Sequence, residues 1–124
     1  MKPVHGLAAL LLMSLACTAA FGGGKAVTVE GWALDSSCAY TKDLKEPISE
    51  DCAKKCAENG SPIVILTDDG TVYLPISGTV PSTGENKRLM PFAGKRVKVE
   101  GTVHDRAGSK AIVIAKVEAV KGAK

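Results

Sequence analysis

The sequence predicts a mainly β fold, a five-stranded Greek-key barrel with one short α-helix inserted between strands 1 and 2. Three observations predict it. Five β-rich runs occupy the stretch from Val27 to Val120. The first and fourth runs are centred on glycines, Gly31 and Gly101, of the kind that bend a strand at a barrel corner. A single helical stretch with its own start and stop signals lies between the first two runs, whereas the connection between the third and fourth is rich in Gly, Pro and Ser.

Residues 1–22 precede this barrel. "MKPVHG" carries one lysine, "LAALLLMSLA" is an uncharged apolar run, and "CTAAFGGG" supplies small residues, which is the order of a secretory signal peptide. The apolar run is shorter than the roughly 20 residues a membrane-spanning helix requires. The expectation is therefore a signal peptide over 1–22, cut after Ala20 or Gly22, and a single domain over 23–124 that is periplasmic or secreted, with no transmembrane segment in the mature protein. Ala16-Cys17 also closes a run similar to a bacterial lipobox, with Ser14 in place of the usual aliphatic residue. Lipidation at Cys17, giving a tethered lipoprotein, is the alternative.

Strand 1, "AVTVEGWALD", alternates Val27, Val29, Gly31 and Ala33 against Thr28, Glu30, Trp32 and Leu34, the period of a half-buried strand. Ser36 to Ile48 reads as a loop. A helix is expected over Glu50 to Asn59, with Ser49 as N-cap, Glu50 and Asp51 in the first turn, and Asn59-Gly60 as the stop. Its apolar side is Cys52, Ala53, Cys56 and Ala57, which would point both sulfurs at whatever the helix packs on. "SPIVILTDDGTVYLPI" reads as a hairpin turning at Asp68-Asp69-Gly70, where aspartates bond the local backbone. An irregular connection with one helical turn near Leu89 follows. "KRVKVEGTVHDRAGSKAIVIAKVEAV" is a second hairpin turning at Ala107 to Ser109, with Val97, Val99, Gly101 and Val103 on one face. Five strands in this arrangement match the OB-fold.

The formal charge of +3, reduced to +2 without Lys2, is too small to imply a nucleic acid or an anionic membrane as partner. Trp32 and Tyr73 are strand aromatics of the type OB barrels use for stacking, and they are candidate surface-binding residues. Aromatic residues are few, however, and core packing competes for both. No Gly-x-Ser-x-Gly, His-Glu-x-x-His, phosphate loop or haem-attachment motif occurs, and no catalytic residue is assigned.

The cysteines carry the sharpest signal. Of four, three remain beyond Cys17, namely Cys38, Cys52 and Cys56. In an oxidising compartment disulfides persist, and an odd count leaves one thiol over.

The segments "VEGWALDSSC", "DCAKKCAENGSPIVILTDDGTVYL" and "FAGKRVKVEGTV" resemble a family of small, mostly uncharacterised exported bacterial domains with an OB-like barrel. In that pattern an Asp-x-x-Cys ends the first strand, and a His-x-x-Cys-Ala-x-x-Cys opens a helix before a Gly-x-Pro strand. Asp35, Cys38, Cys52, Ala53, Cys56, Gly60 and Pro62 fit, over a resemblance running from Val27 to Val120. Ser49 stands where the family carries histidine, which weakens a metal or catalytic reading here. The resemblance implies fold and compartment and names no activity.

Three readings of the cysteines stay open. A disulfide from Cys38 to Cys52 or Cys56 would close a loop of about 15 to 19 residues, worth about 3 kcal/mol in the chain-entropy model, and would pin the helix to the barrel. A bond between Cys52 and Cys56 is geometrically poorer, because Cβ vectors one helical turn apart are nearly parallel. Alternatively Cys38, Cys52 and Cys56 bind Cu(I) through three sulfurs, or zinc with Asp35 as fourth ligand. The third reading is thiol redox chemistry. The sequence as a whole favours a non-enzymatic envelope protein, a binding or interaction module with no cofactor and with an envelope protein or small ligand as partner. A metal-binding or thiol-redox protein is the alternative.

Overall fold

The computed structural model describes residues 24–43 and 48–122, so the expected signal segment 1–22 and Cys17 lie outside the described residues. The elements are β1 (Lys25–Asp35), α1 (Ser36–Thr41), α2 (Glu50–Glu58), β2 (Ile63–Leu66), β3 (Val72–Ile76), α3 (Asn86–Leu89) continued by a 3-10 turn (Met90–Phe92), β4 (Arg96–Arg106) and β5 (Ser109–Ala119). The strands close into a barrel in the order β1-β2-β3-β5-β4. The β3–β5 contact is parallel and every other pairing is antiparallel. This is the expected mainly β, five-stranded OB-like barrel, with helix between strands 1 and 2.

Closure depends on β1 serving two neighbours. Lys25 to Trp32 pair with β4, and Trp32 to Asp35 pair with β2. The change of partner occurs at Trp32, directly after Gly31, where a Cβ would stand 2.5 Å from the Leu66 carbonyl oxygen. A side chain there would push the two strands apart, so the bend requires glycine. Gly101 solves the same problem on β4: a Cβ there would meet the Val113 carbonyl oxygen at 2.4 Å, beside the irregularity in the β4–β5 register.

The barrel interior holds Ala33, Ile63, Ile65, Val97, Val99, Ile112 and Ile114, and its open end is plugged by Ala53 and Ala57 of α2, by Leu89 and by Ala93. A second apolar cluster lies outside the barrel wall, where Leu34, Val64 and Leu66 meet Ala39, with Trp32, Ile48 and Val72 packed around them. The stretch from Ser36 to Ile48, expected as a loop, therefore begins with a helix. Asp35 caps that helix by accepting from the Cys38 amide at 3.2 Å, and Ala39 is its buried residue. This cover explains β2, whose four residues are all buried, one alternate pair facing the interior and the other facing α1.

The second inserted helix runs as expected. The Ser49 hydroxyl accepts from the Cys52 amide at 3.1 Å, and Gly60 past the C-cap has φ +98°. Both hairpin turns also follow their residues. Asp69 accepts from the Thr71 amide at 3.0 Å and from the Thr67 hydroxyl, while Ala107 and Gly108 take positive φ in the β4–β5 turn.

Candidate functional site

Two neighbourhoods gather the chemistry-bearing residues. The first surrounds Asp35, the last residue of β1, which register places opposite Ile63 of β2. Its side chain is fully buried. One carboxylate oxygen, Oδ2, accepts from the Cys38 amide at 3.2 Å and, at a long 3.5 Å, from the Ser61 hydroxyl, which in turn lies 3.2 Å from the Ser36 hydroxyl. The other oxygen, Oδ1, has no hydrogen-bond partner. A buried carboxylate oxygen without a donor is costly to leave unmet.

The Asp35 carboxylate acts on two of the three cysteines. A hydrogen bond with the Asp35 side chain, together with burial and the Asp35 charge, pushes the Cys38 thiol up to about 12. Burial raises the Cys56 thiol as well, followed by the charges of Asp35 and Cys52. Cys38 and Cys56 each feel the charge of Asp35 and of Cys52.

Two details depart from expectation, and a third bears on the metal reading. The Cys38 disulfide to Cys52 or Cys56 is not formed: all three are thiols, and no two sulfurs are at bonding distance. The helix sulfurs do not both face the barrel, because Ala53 and Ala57 take the innermost line of α2. Cys52 and Cys56 each precede those alanines by one residue, about 100° around the helix, which leaves Cys52 exposed and Cys56 half-buried. Finally, among the described residues no group of three or more His, Cys, Asp or Glu is gathered closely enough to hold a metal ion. The set Asp35, Cys38, Cys52 and Cys56 has the chemistry of a soft-metal site without its compact geometry.

Around these groups the chain is fastened by residues that sequence motifs did not mark. Half-buried Asn86 accepts from the Ile63 amide at 2.8 Å and donates to the carbonyls of Ser61 at 2.7 Å and Ala57 at 3.3 Å, so one side chain joins α3, the end of α2 and the start of β2. Gly94, at φ +79°, lets the loop before β4 lie against the first residue of α2, where a Cβ would stand 2.5 Å from the Glu50 Cα.

The second neighbourhood is a groove of about 500 Å³ on the outer face of β2 and β3. Ser36 and Tyr40 of α1 form one wall, Val64, Val72 and Leu74 the floor, and the β4–β5 turn with Lys110 the opposite wall. Tyr40 is 74 % exposed and Leu74 44 % exposed. The Lys110 ammonium is paired with Asp105, so the groove carries little free charge.

The two aromatics singled out by sequence lie elsewhere. Trp32 packs on the outer apolar cluster under the Arg96 guanidinium, 5.9 Å from the ring centre, and Tyr73 packs partly buried against the barrel core. Arg96 also grips Asp68 through two bonds of 2.8 Å, so this turn aspartate ties the β2–β3 hairpin to β4. The residue sequence reasoning misses is Tyr40, hidden because its segment reads as loop. Among the described residues no helix is long and apolar enough to cross a membrane. No family model, curated protein or solved structure matches the chain.

Proposed function

We propose that this chain is a small exported, non-enzymatic binding module that takes a short, uncharged oligosaccharide in the groove over β2 and β3. One observation carries the reading: an aromatic ring, Tyr40, stands 74 % exposed beside an exposed Leu74 on the face and between the loops that OB barrels use for oligonucleotides and oligosaccharides. Between these two ligand classes, charge discriminates. The net charge is small and the lysine of the groove is already paired, which leaves little to neutralise phosphates. A tyrosine face with hydroxyls from Ser36, Thr71 and Ser109 around it suits a sugar, which offers an apolar ring face and hydroxyls at its edge. Export rests on the order of residues 1–22, and it agrees with the resemblance to exported bacterial domains.

Amide spectra of the labelled protein titrated with cello-, malto- and chito-oligosaccharides test this. The reading expects one series to shift the amides of Gly70, Thr71, Gly108 and Ser109, and Tyr40→Ala to abolish the shifts while the remaining spectrum stays folded. Shifts that survive Tyr40→Ala, or no shift at these amides with any series, would overturn it.

A further inference from the structure

Tyr40 borders a second cavity as well as the groove. A space of about 410 Å³ lies between the C-terminal end of α1, with Lys42 and Asp43 just after it, and the β2–β3 turn at Asp68. It shares Tyr40, Gly70 and Val72 with the groove, so the exposed tyrosine stands where the two spaces meet. The β4–β5 turn walls only the groove, and Lys42, Asp43 and Asp68 line only the second cavity. The two spaces therefore leave Tyr40 in different directions.

The second cavity holds a fixed carboxylate, which the groove lacks. Arg96 donates to both oxygens of Asp68 at 2.8 Å, and the Arg96 guanidinium is itself placed over the Trp32 ring and 3.8 Å from Glu30. The Arg96 side chain is only 19 % exposed, whereas that of Asp68 is 67 % exposed. Each oxygen of an ionised carboxylate accepts more than one donor, so Asp68 has acceptor capacity left on its open side. A surface carboxylate ordinarily gives up rotational freedom when it binds something. One clamped at two points has already done so. Formal charges in this cavity balance, Lys42 against Asp43 and Asp68 against Arg96, which again suits a neutral chain better than a phosphate chain.

We propose that the second cavity is a further saccharide subsite, so that the ligand is an uncharged chain lying on both sides of Tyr40, with Asp68 accepting from two adjacent hydroxyls of the unit beyond the ring. The inference rests on the saccharide reading of the groove and adds to it a length requirement and a specificity residue. Hydrogen bonds to a charged acceptor are the stronger kind, and a second unit engaged through the same chain binds at a high effective concentration. The hydroxyl pair also selects among neutral sugars. Interior glucose units of cello- and malto-chains keep free 2- and 3-hydroxyls side by side, whereas interior N-acetylated units carry an acetamide at the 2-position and lack the pair.

The di- and hexasaccharides of the cello, malto and chito series are the probes, titrated into the labelled protein. The disaccharide of the cello or malto series is expected to shift the amides of Gly108 and Ser109 alone. Its hexasaccharide should also shift Ala39, Lys42 and Asp68 and bind about tenfold or more tightly. Asp68→Asn, a near-isosteric change at an exposed turn, should remove about tenfold of the hexasaccharide affinity and leave the disaccharide affinity unchanged. Shifts at Gly108 and Ser109 with no gain on lengthening, or a hexasaccharide that leaves Ala39, Lys42 and Asp68 unmoved, would overturn the second subsite while leaving the saccharide reading intact. No shift at Gly108 and Ser109 with any probe would overturn both. An equal loss for both lengths in Asp68→Asn, or no loss for either, would overturn the role of Asp68, and a chito-hexasaccharide that gains as much as the others would overturn the hydroxyl pair.

Discussion

The first turns of α1 and α2 are built to one plan and end in opposite environments. In both, a cap residue, two polar residues and a cysteine follow one another, as Asp35-Ser36-Ser37-Cys38 and Ser49-Glu50-Asp51-Cys52. Both caps bond the cysteine amide at nearly equal distance. Yet α1 is six residues long and held chiefly by its cap, the Ser36 amide bond to the Pro62 carbonyl at 2.9 Å and one buried alanine. Helix α2 contributes Ala53 and Ala57 to the barrel core and is gripped at its start by Gly94 and at its end by Asn86. The difference teaches that local capping sets where a thiol stands on its helix, while the depth of the cap residue in the barrel sets what that thiol can do. Asp35 is buried because it ends a central strand. Ser49 begins a helix at the barrel rim and is exposed.

Several changes would break or sharpen this contrast. Gly94→Ala has the largest expected effect, because it places a Cβ against the Glu50 backbone and imposes a positive φ on alanine. Overpacking and left-handed strain together predict a loss of about 2 to 5 kcal/mol in denaturant unfolding, and α2 should be displaced while α1 keeps its hydrogen-exchange protection. Next is Asn86→Ala, which strips partners from the Ile63 amide and the Ser61 and Ala57 carbonyls. A loss of about 2 kcal/mol is expected for unmet, partly buried groups, and a change below a few tenths would show that water replaces this clamp.

Ser49→Ala should cost about 1 kcal/mol as a lost N-cap. Its sharper form, Ser49→Asp, gives α2 the cap that α1 has, and the added negative charge should slow alkylation of Cys52 severalfold. Equal rates would show that only the burial of Asp35, and not its charge, separates the two thiols. A last test is stability against pH. Above pH 9.0 an unfolded Cys38 thiol loses its proton, whereas the folded one keeps it until about pH 12. The folded state then binds more protons, so stability attributable to Cys38 is complete below pH 9.0 and falls between there and about 12. Unfolding titrations of wild type and Cys38→Ser should diverge in that window only.

Much of the fold was legible along the chain. Alternation in Val27 to Ala33, the glycines at the centres of the first and fourth strands, and the turn residues Asp69 and Gly108 each act within a few residues, so their local signals survive into the folded barrel. The cap and stop of α2 were readable for the same reason. Helix α1 was not, since six residues with one buried alanine carry no helical period. A clue was present in Ile63-Val64-Ile65-Leu66, whose unbroken apolar run requires cover on both faces. At the site, Tyr40, Asn86 and the burial of Asp35 were not legible.

By itself, then, the sequence determined the barrel, its strand order in outline, the two bends and the helix carrying Cys52 and Cys56, because these follow from short-range periodicity, turn chemistry and capping. Only the tertiary structure decided that Cys38 and Cys52 are unequally exposed, that an unpaired carboxylate oxygen lies buried in the residue that caps the Cys38 amide, and that Tyr40 overhangs a groove while Trp32 and Tyr73 pack away. Burial is a property of what the rest of the chain places around a residue, and neither spacing nor composition carries that information.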